Sequence, residues 1–439
     1  MKVLIVNGVV IDPSQDVEGV CDILIEGGRI KEVRKRKSAK TLKNRKAESP
    51  IAAAPDSEII DATGMFVLPG LVDMHVHLRE PGFEYKETIK TGTTAAVRGG
   101  ITSVCCMPNT NPVNDNSSVT EFIRKRAMQE GACSVFPVGA ITKGQKGEEL
   151  AEFTMMYEAG CVAFSDDGRP VMDSLMMRRA LEYSRVLGVP VISHCEDLSL
   201  SAGGVMNEGL LSATLGLKGV PSQAEEVIVA RDVALAELTG GRLHVAHVST
   251  ARSVEIIRAA KKRGIADITA ETCPHYFSIT EEAVRDYDTN AKVNPPLRRK
   301  QDVEAVREGL RDGTIDVIAT DHAPHHADEK EREFDFAPSG ISGFETSIGL
   351  SMKLVDDGVL SLAKLVGKMA FCPSKIVGLS KGTLKTGSEA DVTIVDTKKE
   401  YEVDTGKFVS KGRNSPFGSW MLHARPAVTI CKGRVHKWK

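Results

Sequence analysis

Two histidines separated by one residue, His75 and His77, lie in the apolar stretch LVDMHVHLREP at residues 71–81. Such a run is typical of a buried β-strand, and because side chains alternate along a strand, both imidazoles point to the same face. Residues with ligand chemistry also end four further apolar runs: Asp166 and Asp167, His194, His247, and Asp321. Imidazole and carboxylate groups bind zinc-type ions. The pattern therefore predicts a metal site.

Other histidines lack this placement. His244 has the opposite parity to His247 on the same predicted strand, so we expect it to face the surrounding helices in a structural role. His275 follows the next predicted strand, in TCPHYF, and is expected to brace loops. None of the histidines without a strand-end position is assigned to the metal: His326, His423 and His436.

The chemistry of such a site is hydrolytic. A zinc-type ion lowers the pKa of bound water to about 7 and polarises a carbonyl oxygen. Asp321, just after the last predicted strand, can ligate metal, orient the attacking oxygen and carry its proton to a leaving nitrogen. The predicted reaction class is therefore hydrolysis at an amide-like carbon, or its reverse.

The elements that position these residues alternate between short apolar strands and amphipathic helices. The strands are GLVDMHVHL, ITSVCCMP, CSVFPVGAI, CVAFSDD, VPVISHCED, RLHVAHVST, ADITAETCP and DVIATDHAP. Between them lie helical segments such as NSSVTEFIRKRAMQ, capped by Asn116 or Ser117, and AEEVIVARDVALAELTG, ended by Gly240. Eight alternations over about 310 residues predict a (β/α)₈ barrel, whose active site lies at the carboxyl ends of the strands.

The two ends of the chain have a different sequence pattern. MKVLIVNGVVID and CDILIEGGRIKEV near the start, and GTLKTGSEADVTIVD and ARPAVTICKGRVHKWK near the end, are typical of short strands joined by turns. Neither end has enough apolar residues for a sheet core of its own, so we expect one small β-sandwich domain built from both. The predicted division is 1–66 and 381–439 for this composite domain and 67–380 for the barrel. Residues 37–58 are expected to form an exposed loop or to be locally disordered.

Charge and cysteine content exclude several function classes. The 57 Lys and Arg residues against 59 Asp and Glu residues give a net charge of −2. This balance argues against nucleic acid or an anionic membrane as a partner, but allows a small anionic substrate. Nine irregularly spaced cysteines indicate reduced thiols and a cytoplasmic location. No uncharged run reaches the roughly eighteen residues of a membrane helix.

Several motifs resemble those of a known family. DMHVHLREP (73–81) and ATDHAPHHADEK (319–330) are similar to the two signature segments of the dihydroorotases, which belong to the amidohydrolase superfamily of metal-dependent barrels. Segments between them also resemble the family, in order: MPNTNP (107–112), FSDDG (164–168), SHCED (193–197), HVAHVS (244–249) and KVNPPLR (292–298). The likeness covers nearly the whole chain. Within the family, it is to the bacterial type that resembles the dihydroorotase domain of multifunctional pyrimidine enzymes.

The resemblance implies an activity and a set of site residues. The reaction is the reversible cyclisation of N-carbamoyl-L-aspartate to L-dihydroorotate, in de novo pyrimidine (UMP) synthesis. One or two zinc ions are implied, the first held by His75, His77 and Asp321, the second by His194 and His247. Asp321 is the implied general acid and base. The implied substrate contacts are Arg79, Asn109 and His325 for the carboxylate, Asn294 for the ring, and backbone groups near Ser339 and Gly340.

One departure from the wider superfamily concerns the bridging ligand. Many relatives bridge the two metals with a carboxylated lysine after the fourth strand, yet no lysine occurs between Lys146 and Lys218. A carboxylate must replace it, and the motif alignment favours Asp167 over Asp166. This argues against the alternative cyclic amidohydrolases, dihydropyrimidinase (hydantoinase) and allantoinase, in which that lysine is expected.

Two hypotheses stay open at this level. Cys195 follows His194 directly, and a thiolate is a strong zinc ligand, although strand alternation favours a buried thiol that points away. The chain could also be a non-catalytic partner of aspartate carbamoyltransferase, but such a protein is expected to lose ligands, and here they are all present. Aspartate carbamoyltransferase and further copies of the chain remain candidate partners that the sequence does not decide.

Overall fold

A computed structural model describes residues 2–36, 51 and 57–438 of the 439-residue chain. Most of the loop expected at residues 37–58 lies outside the described residues. No helix in the described part is long and apolar enough to cross a membrane.

The longest strands lie near the two ends of the chain, and the strands of the middle region are short and parallel. In chain order, the strands are β1 (Lys2–Asp12), β2 (Val17–Glu26), β3 (Arg29–Lys35), β4 (Glu58–Asp61), β5 (Phe66–Pro69), β6 (Leu71–Val76), β7 (Ile101–Cys106), β8 (Ser134–Pro137), β9 (Val191–Ser193), β10 (Met206–Asn207), β11 (Gly219–Val220), β12 (Leu243–Val245), β13 (Ile268–Thr272), β14 (Val317–Ile318), β15 (Val392–Asp396), β16 (Tyr401–Glu402), β17 (Met421–Leu422), β18 (Arg425–Cys431) and β19 (Arg434–Lys437).

The helices lie mainly between the strands of the middle region. They are α1 (Ile89–Arg98), α2 (Ser117–Glu130), α3 (Phe153–Ala159), α4 (Ser174–Leu187), α5 (Leu198–Ser201), α6 (Leu210–Leu215), α7 (Gln223–Thr239), α8 (Ala251–Arg263), α9 (Pro274–Ser278), α10 (Lys300–Asp312), α11 (Ala327–Lys330), α12 (Ser347–Asp356), α13 (Leu362–Val366) and α14 (Cys372–Ile376). As predicted, Asn116 caps α2 by accepting a hydrogen bond from the Val119 N–H. Gly240 ends α7 in the left-handed conformation.

The middle strands close into a parallel barrel. β6, β7 and β8 pair in that order, as do β9, β12, β13 and β14. The fourth strand is reduced to one position, Phe164, which bridges to Gly139 on one side and Val191 on the other. A parallel bridge between Val76 and His322 joins the last strand to the first. The predicted (β/α)₈ barrel is therefore confirmed.

Two apolar layers show which side chains face the barrel interior. Strands on opposite sides of a barrel can only meet inside it. One buried cluster takes one residue from each of seven barrel strands: Met74, Cys105, Val138, Ala163, Ile192, Ala246 and Val317. Ile376 and Val377 pack into the same cluster. The neighbouring strand residues, such as Val104, Val191 and Val245, belong to a separate cluster shared with the helices. The interior apolar layer thus lies on the amino-terminal side of the predicted ligands and supports them.

Both ends of the chain contribute to one further sheet. Its order is β19-β18-β15-β5-β1-β2-β3, with β4 paired to β1. Its core includes Ile5, Ile23, Ile394 and Ile430, all fully buried, and burial of each such side chain stabilises the fold by about 1.5–3 kcal/mol. The expected composite β structure from both termini is confirmed, whereas the residue limits of the domains stay a prediction.

Candidate active site

The two histidines of the first barrel strand meet the carboxylate that follows the last. His77 Nε2 lies 3.0 Å from Asp321 Oδ1, and His75 Nε2 lies 3.7 Å from the same oxygen. All three side chains are buried. Closure of the barrel between β6 and residue 322 brings these groups together across about 245 positions of sequence.

Asp167 lies between the imidazoles. Its Oδ1 is 3.3 Å from His75 Nε2, 3.4 Å from His194 Nδ1 and 3.5 Å from His247 Nε2. Its Oδ2 is 3.5 Å from His77 Nε2. One carboxylate therefore faces all four imidazoles.

The neighbouring carboxylate points elsewhere. Asp166 Oδ1 accepts hydrogen bonds from the backbone N–H groups of Ile141 (2.8 Å) and Thr142 (3.1 Å), in the loop after β8. Burial raises the pKa of Asp166 to about 6, although these hydrogen bonds oppose the shift. Of the two adjacent aspartates, Asp167 is the one directed at the imidazoles.

His194 and His247 complete the cluster from β9 and β12. His194 Nδ1 lies 2.8 Å from His247 Nε2, and its other nitrogen lies 2.9 Å from Glu196 Oε2. The backbone φ angle is 33° at His247 and 47° at Asp321. Both values are positive, and residues other than glycine rarely adopt a positive φ. Such strain is concentrated at functional sites, because the surrounding structure must enforce it.

The donor set fits a bound metal ion. His75 Nε2 and Asp167 Oδ1 are buried and have no hydrogen-bond partner among the described residues. Leaving such atoms unpaired costs about 1–3 kcal/mol each, which a metal would offset. Two groups of ligand atoms lie within 4.8 Å of one another: His75, His77 and Asp321, and His75, Asp167 and His247. Nitrogen and carboxylate oxygen donors in such groups suit zinc.

Charge around the cluster favours ionised carboxylates. Burial by itself raises the pKa of Asp167, but the charge of His75 and the close imidazoles of His194 and His247 outweigh it and hold this pKa well below its usual range. The pKa of Asp321 is also lowered, since a hydrogen bond from His77 and the nearby imidazole charges overcome the effect of burial.

A buried carboxylate behind the cluster escaped the sequence reasoning. Glu271, on β13, is fully buried, and its Oε1 lies 2.5 Å from His75 Nδ1. Its Oε2 lies 3.2 Å from His244 Nε2, and His244 Nδ1 lies 2.8 Å from Thr269 Oγ1. A carboxylate on the far nitrogen of a ligand histidine fixes the ring orientation and its tautomer. The signal in the sequence was a charged residue inside the apolar strand ITAET.

The expected outward orientation of His244 is therefore wrong. His244 and Ala246 both face the barrel interior, whereas Val245 packs with the helices. Strand alternation would then turn His247 outward, but its positive φ breaks the alternation and returns the ring to the interior. The alternation of side chains predicts orientation only within a strand, and this strand ends at Val245, before His247.

A cavity of about 240 Å³ opens above the cluster. The predicted substrate residues all line it: Arg79, Asn109, Asn294, His325, Ser339 and Gly340. His77, Asp167, His194, His247 and Asp321 form its base, while His75 is fully buried beneath. The structure thus brings together every candidate site residue, with His75 at the deepest level.

Arg79 is the cationic group directed at this cavity. Its Nε donates to the Pro324 carbonyl oxygen at 3.2 Å. In the described part of the chain, no carboxylate oxygen lies within 4.0 Å of the guanidinium nitrogens of Arg79, the distance of an ion pair. Burial lowers the pKa of Arg79, but arginine stays protonated at any physiological pH. A half-buried cation without a paired carboxylate is suited to an anionic ligand.

Three other cavity residues also contact protein groups. Asn109 Oδ1 lies 2.8 Å from His77 Nδ1, so this amide holds a candidate ligand ring. Asn294 Nδ2 donates to Glu196 Oε2 at 2.9 Å. His325 Nε2 lies 2.9 Å from the Ser339 carbonyl oxygen, and burial together with the charges of Arg79 and Lys86 holds its pKa well below the usual range. His325 is therefore a neutral hydrogen-bond donor.

Cys195 and His275 lie outside the cluster. Cys195 Sγ lies 3.4 Å from Ser193 Oγ and 4.0 Å from Asp232 Oδ2 of α7, in the layer between strands and helices. Burial raises the pKa of this thiol well above its usual value, so it is a poor thiolate ligand. His275 is buried against Tyr276, and burial lowers its pKa to about 4.

A parallel eight-stranded barrel with imidazoles and carboxylates at its strand ends, joined to a sheet from both termini, defines the amidohydrolase class. Solved structures of that class superpose on nearly the whole chain. An L-hydantoinase (dihydropyrimidinase) from Arthrobacter aurescens matches with a TM-score of 0.85 and 27% identity, covering 99% of this chain and 95% of its own. A D-hydantoinase (dihydropyrimidinase) from Thermus sp. matches with a TM-score of 0.82 and 25% identity, covering 99% and 94%.

Sequence relatives narrow the class. The family described as Dihydro-orotase-like matches residues 64–253. A dihydroorotase of Geobacter metallireducens is 57% identical over 435 residues, covering 99% of both chains. A dihydroorotase of Geotalea daltonii is 56% identical over 438 residues, covering 100% of both. The chain belongs to the dihydroorotase family and is a cyclic amide hydrolase.

Proposed function

We propose that this enzyme uses zinc to interconvert N-carbamoyl-L-aspartate and L-dihydroorotate in de novo pyrimidine synthesis. The observation that carries the proposal is the presence, in one cavity, of a metal-ligand cluster and of the Arg79 guanidinium, which has no carboxylate partner among the described residues. The cluster suits attack on a cyclic amide. The guanidinium selects a substrate that carries a carboxylate, which hydantoin and dihydrouracil lack.

Substrate binding rests on groups around the rim of the cavity. Arg79 grips the carboxylate through parallel N–H donors, and Asn109 donates to the same group. Neutral His325, whose one N–H is directed at the Ser339 oxygen, contacts the carboxylate at the wall of the cavity. Asn294, beside Glu196, contacts the ring amide, while the chain at Ser339 and Gly340 closes the open side. These contacts place the ring over the cluster and leave little space for bulk water.

In this proposal, His75, His77 and Asp321 would hold one zinc, His194 and His247 would hold a second, and Asp167 would be the ligand shared between them. The metal, when bound, activates water and polarises the amide carbonyl. Asp321 accepts the proton of the attacking water on a carboxylate oxygen and delivers it to the ring nitrogen as the C–N bond breaks. His77, 3.0 Å away, orients this carboxylate. In the direction of cyclisation, the same carboxylate takes the proton from the carbamoyl nitrogen.

The alternative activities have less support. Within residues 57–438, the segment after the fourth strand carries aspartates instead of a lysine, which disfavours a dihydropyrimidinase or an allantoinase. The complete ligand cluster disfavours a non-catalytic partner. Association with aspartate carbamoyltransferase or with further copies of the chain, a cytoplasmic location and the division at residues 66 and 380 are retained as parts of the proposal. The nine free thiols agree with a reducing compartment.

A single panel of assays tests the proposal. Metal content is measured by mass spectrometry on the purified enzyme, and turnover is followed with dihydroorotate, hydantoin, dihydrouracil and allantoin. We expect zinc and a strong preference for dihydroorotate. A preference for any of the three substrates without a carboxylate on the ring, or full activity after complete metal removal, would contradict it.

A further inference from the structure

A segment near the C-terminal end of the chain packs behind one wall of the substrate cavity. This segment, residues 408–417, is named the C-terminal strap. At one end, the Val409 N–H donates to Glu345 Oε1 at 2.6 Å. At the other, Phe417 is 1% exposed and packs with Leu350 and Leu422. The strap is therefore fixed at both ends against the barrel, and the residues between these anchors can act as a rigid support.

Asn414 is the central contact of the strap. Its Nδ2 donates to the carbonyl oxygens of Ala323 (3.0 Å) and Gly340 (2.9 Å). Its Oδ1 accepts from the His325 N–H (3.0 Å) and from Ser342 Oγ (2.9 Å). The side chain is 3% exposed. An amide offers two donors and two acceptor positions, and all four are used here.

These four bonds join two segments that form one wall of the cavity. The first segment, residues 323–325, contributes His325 to the wall. The second, residues 339–342, contributes Ser339 and Gly340. The two segments pack so closely that a Cβ on Gly340 would lie 2.7 Å from the Ala323 oxygen. His325 Nε2 also reaches the Ser339 oxygen. Asn414 therefore sets the spacing on which the His325 ring position depends.

We propose that Asn414 is a positioning residue for substrate binding, acting through His325 and the Ser339–Gly340 backbone from outside the cavity. The identity of the substrate rests on the function proposed above. An amide is required at this position, because a carboxylate of the same shape would replace the NH2 group, which donates twice, with one oxygen that faces two carbonyl oxygens. The strap contacts none of the candidate metal ligands through Asn414, so metal binding is expected to be independent of it.

The test compares the full-length Asn414→Asp variant with the wild type. We expect KM for dihydroorotate to rise on the order of 10- to 100-fold, since small misplacements of binding groups have effects of this size. We expect kcat to change less than threefold and zinc content to stay unchanged. Hydrogen exchange of residues 323–342 should become faster. A KM within twofold of wild type, a loss confined to kcat, or unchanged exchange in this segment would overturn the proposal.

Control variants separate positioning from general destabilisation. Asn7→Asp removes an amide donor to Asp61 in the composite sheet and should leave KM and the exchange of residues 323–342 unchanged. Should Asn414→Asp fail to fold, Ser342→Ala removes one of the four bonds. We then expect about a threefold rise in KM, with faster exchange in the same segment, and no change in either would overturn the proposal. If the wild type does not turn over dihydroorotate, the function fails, yet the exchange data still decide the role of Asn414.

Discussion

The carboxylate behind the cluster gives a quantitative prediction. Glu271→Gln keeps the size and shape of a fully buried side chain but removes its charge. In the wild type, its two oxygens contact His75 Nδ1 at 2.5 Å and His244 Nε2 at 3.2 Å. Burial alone raises the pKa of Glu271, but the charge of His75 and the bonds from His244 and His75 hold it well below the usual range. The carboxylate is therefore ionised and polarises His75.

The size of the effect follows from the lost charge. A hydrogen bond to a charged group contributes about 1.5–3 kcal/mol and a neutral one about 1 kcal/mol, so the substitution costs His75 about 0.5–2 kcal/mol as a ligand. At 1.4 kcal/mol per factor of ten, the upper part of this range is about a 10- to 30-fold loss of zinc affinity. Loss of such supporting carboxylates typically costs 10- to 100-fold.

Zinc affinity is measured by competition with a chromophoric chelator, for the wild type and for Glu271→Gln at the same pH. Asp12→Asn serves as the control, because it neutralises a buried carboxylate of the composite sheet that accepts from the Leu384 N–H at 2.7 Å. We expect this control to lower stability but to retain wild-type zinc affinity. Equal zinc affinity in Glu271→Gln and the wild type would refute the assignment of Glu271 as the support of His75.

Three further results are expected. Asp321→Asn should lower kcat by about 10²- to 10⁴-fold with an unchanged circular dichroism spectrum, and retained activity would contradict its proton-transfer role. Arg79→Ala should raise KM for dihydroorotate about 10- to 100-fold with a smaller change in kcat, as expected for a lost charge-assisted bond. Burial and the charge of Lys292 lower the pKa of Lys330 to about 7. The unfolded chain therefore binds more protons between pH 7 and about 10, so stability relative to Lys330→Met should rise with pH there, by at most about 1.4 kcal/mol per unit. Urea unfolding of both proteins at pH 7 and 9 measures this, and a constant difference would exclude it.

The local sequence pattern was sufficient to predict the barrel and to find the polar residues at the ends of its strands. The eight apolar runs became strand positions, and His75 and His77 share a face as their spacing required. The prediction for His244 failed because it assumed a regular strand up to His247, whereas β12 ends at Val245 and the backbone then turns. Periodicity describes regular backbone, and active sites lie where regular backbone stops.

Supporting residues were harder to find because their roles exist only after folding. Glu271 has a role through His75, 196 positions away, and Asn414 acts on groups 74 to 91 positions away. Neither residue has a neighbour in sequence that indicates the contact. Both are nevertheless buried polar residues that contact specific partners in the fold, and burial without such contacts would be costly. Such residues are recognised from the structure.

The position of Asp167, proposed above for the bridging ligand, shows how local geometry can replace a longer side chain. A lysine reaches a metal pair from a distance, whereas an aspartate must start close to it. The fourth strand pairs only at Phe164, and Asp166 then fixes the turn by accepting from Ile141 and Thr142. This directs the next residue inward, so the short carboxylate of Asp167 lies within 3.5 Å of all four imidazoles. The two adjacent aspartates thus have separate tasks: one holds the backbone in place, and the other occupies the position between the histidines.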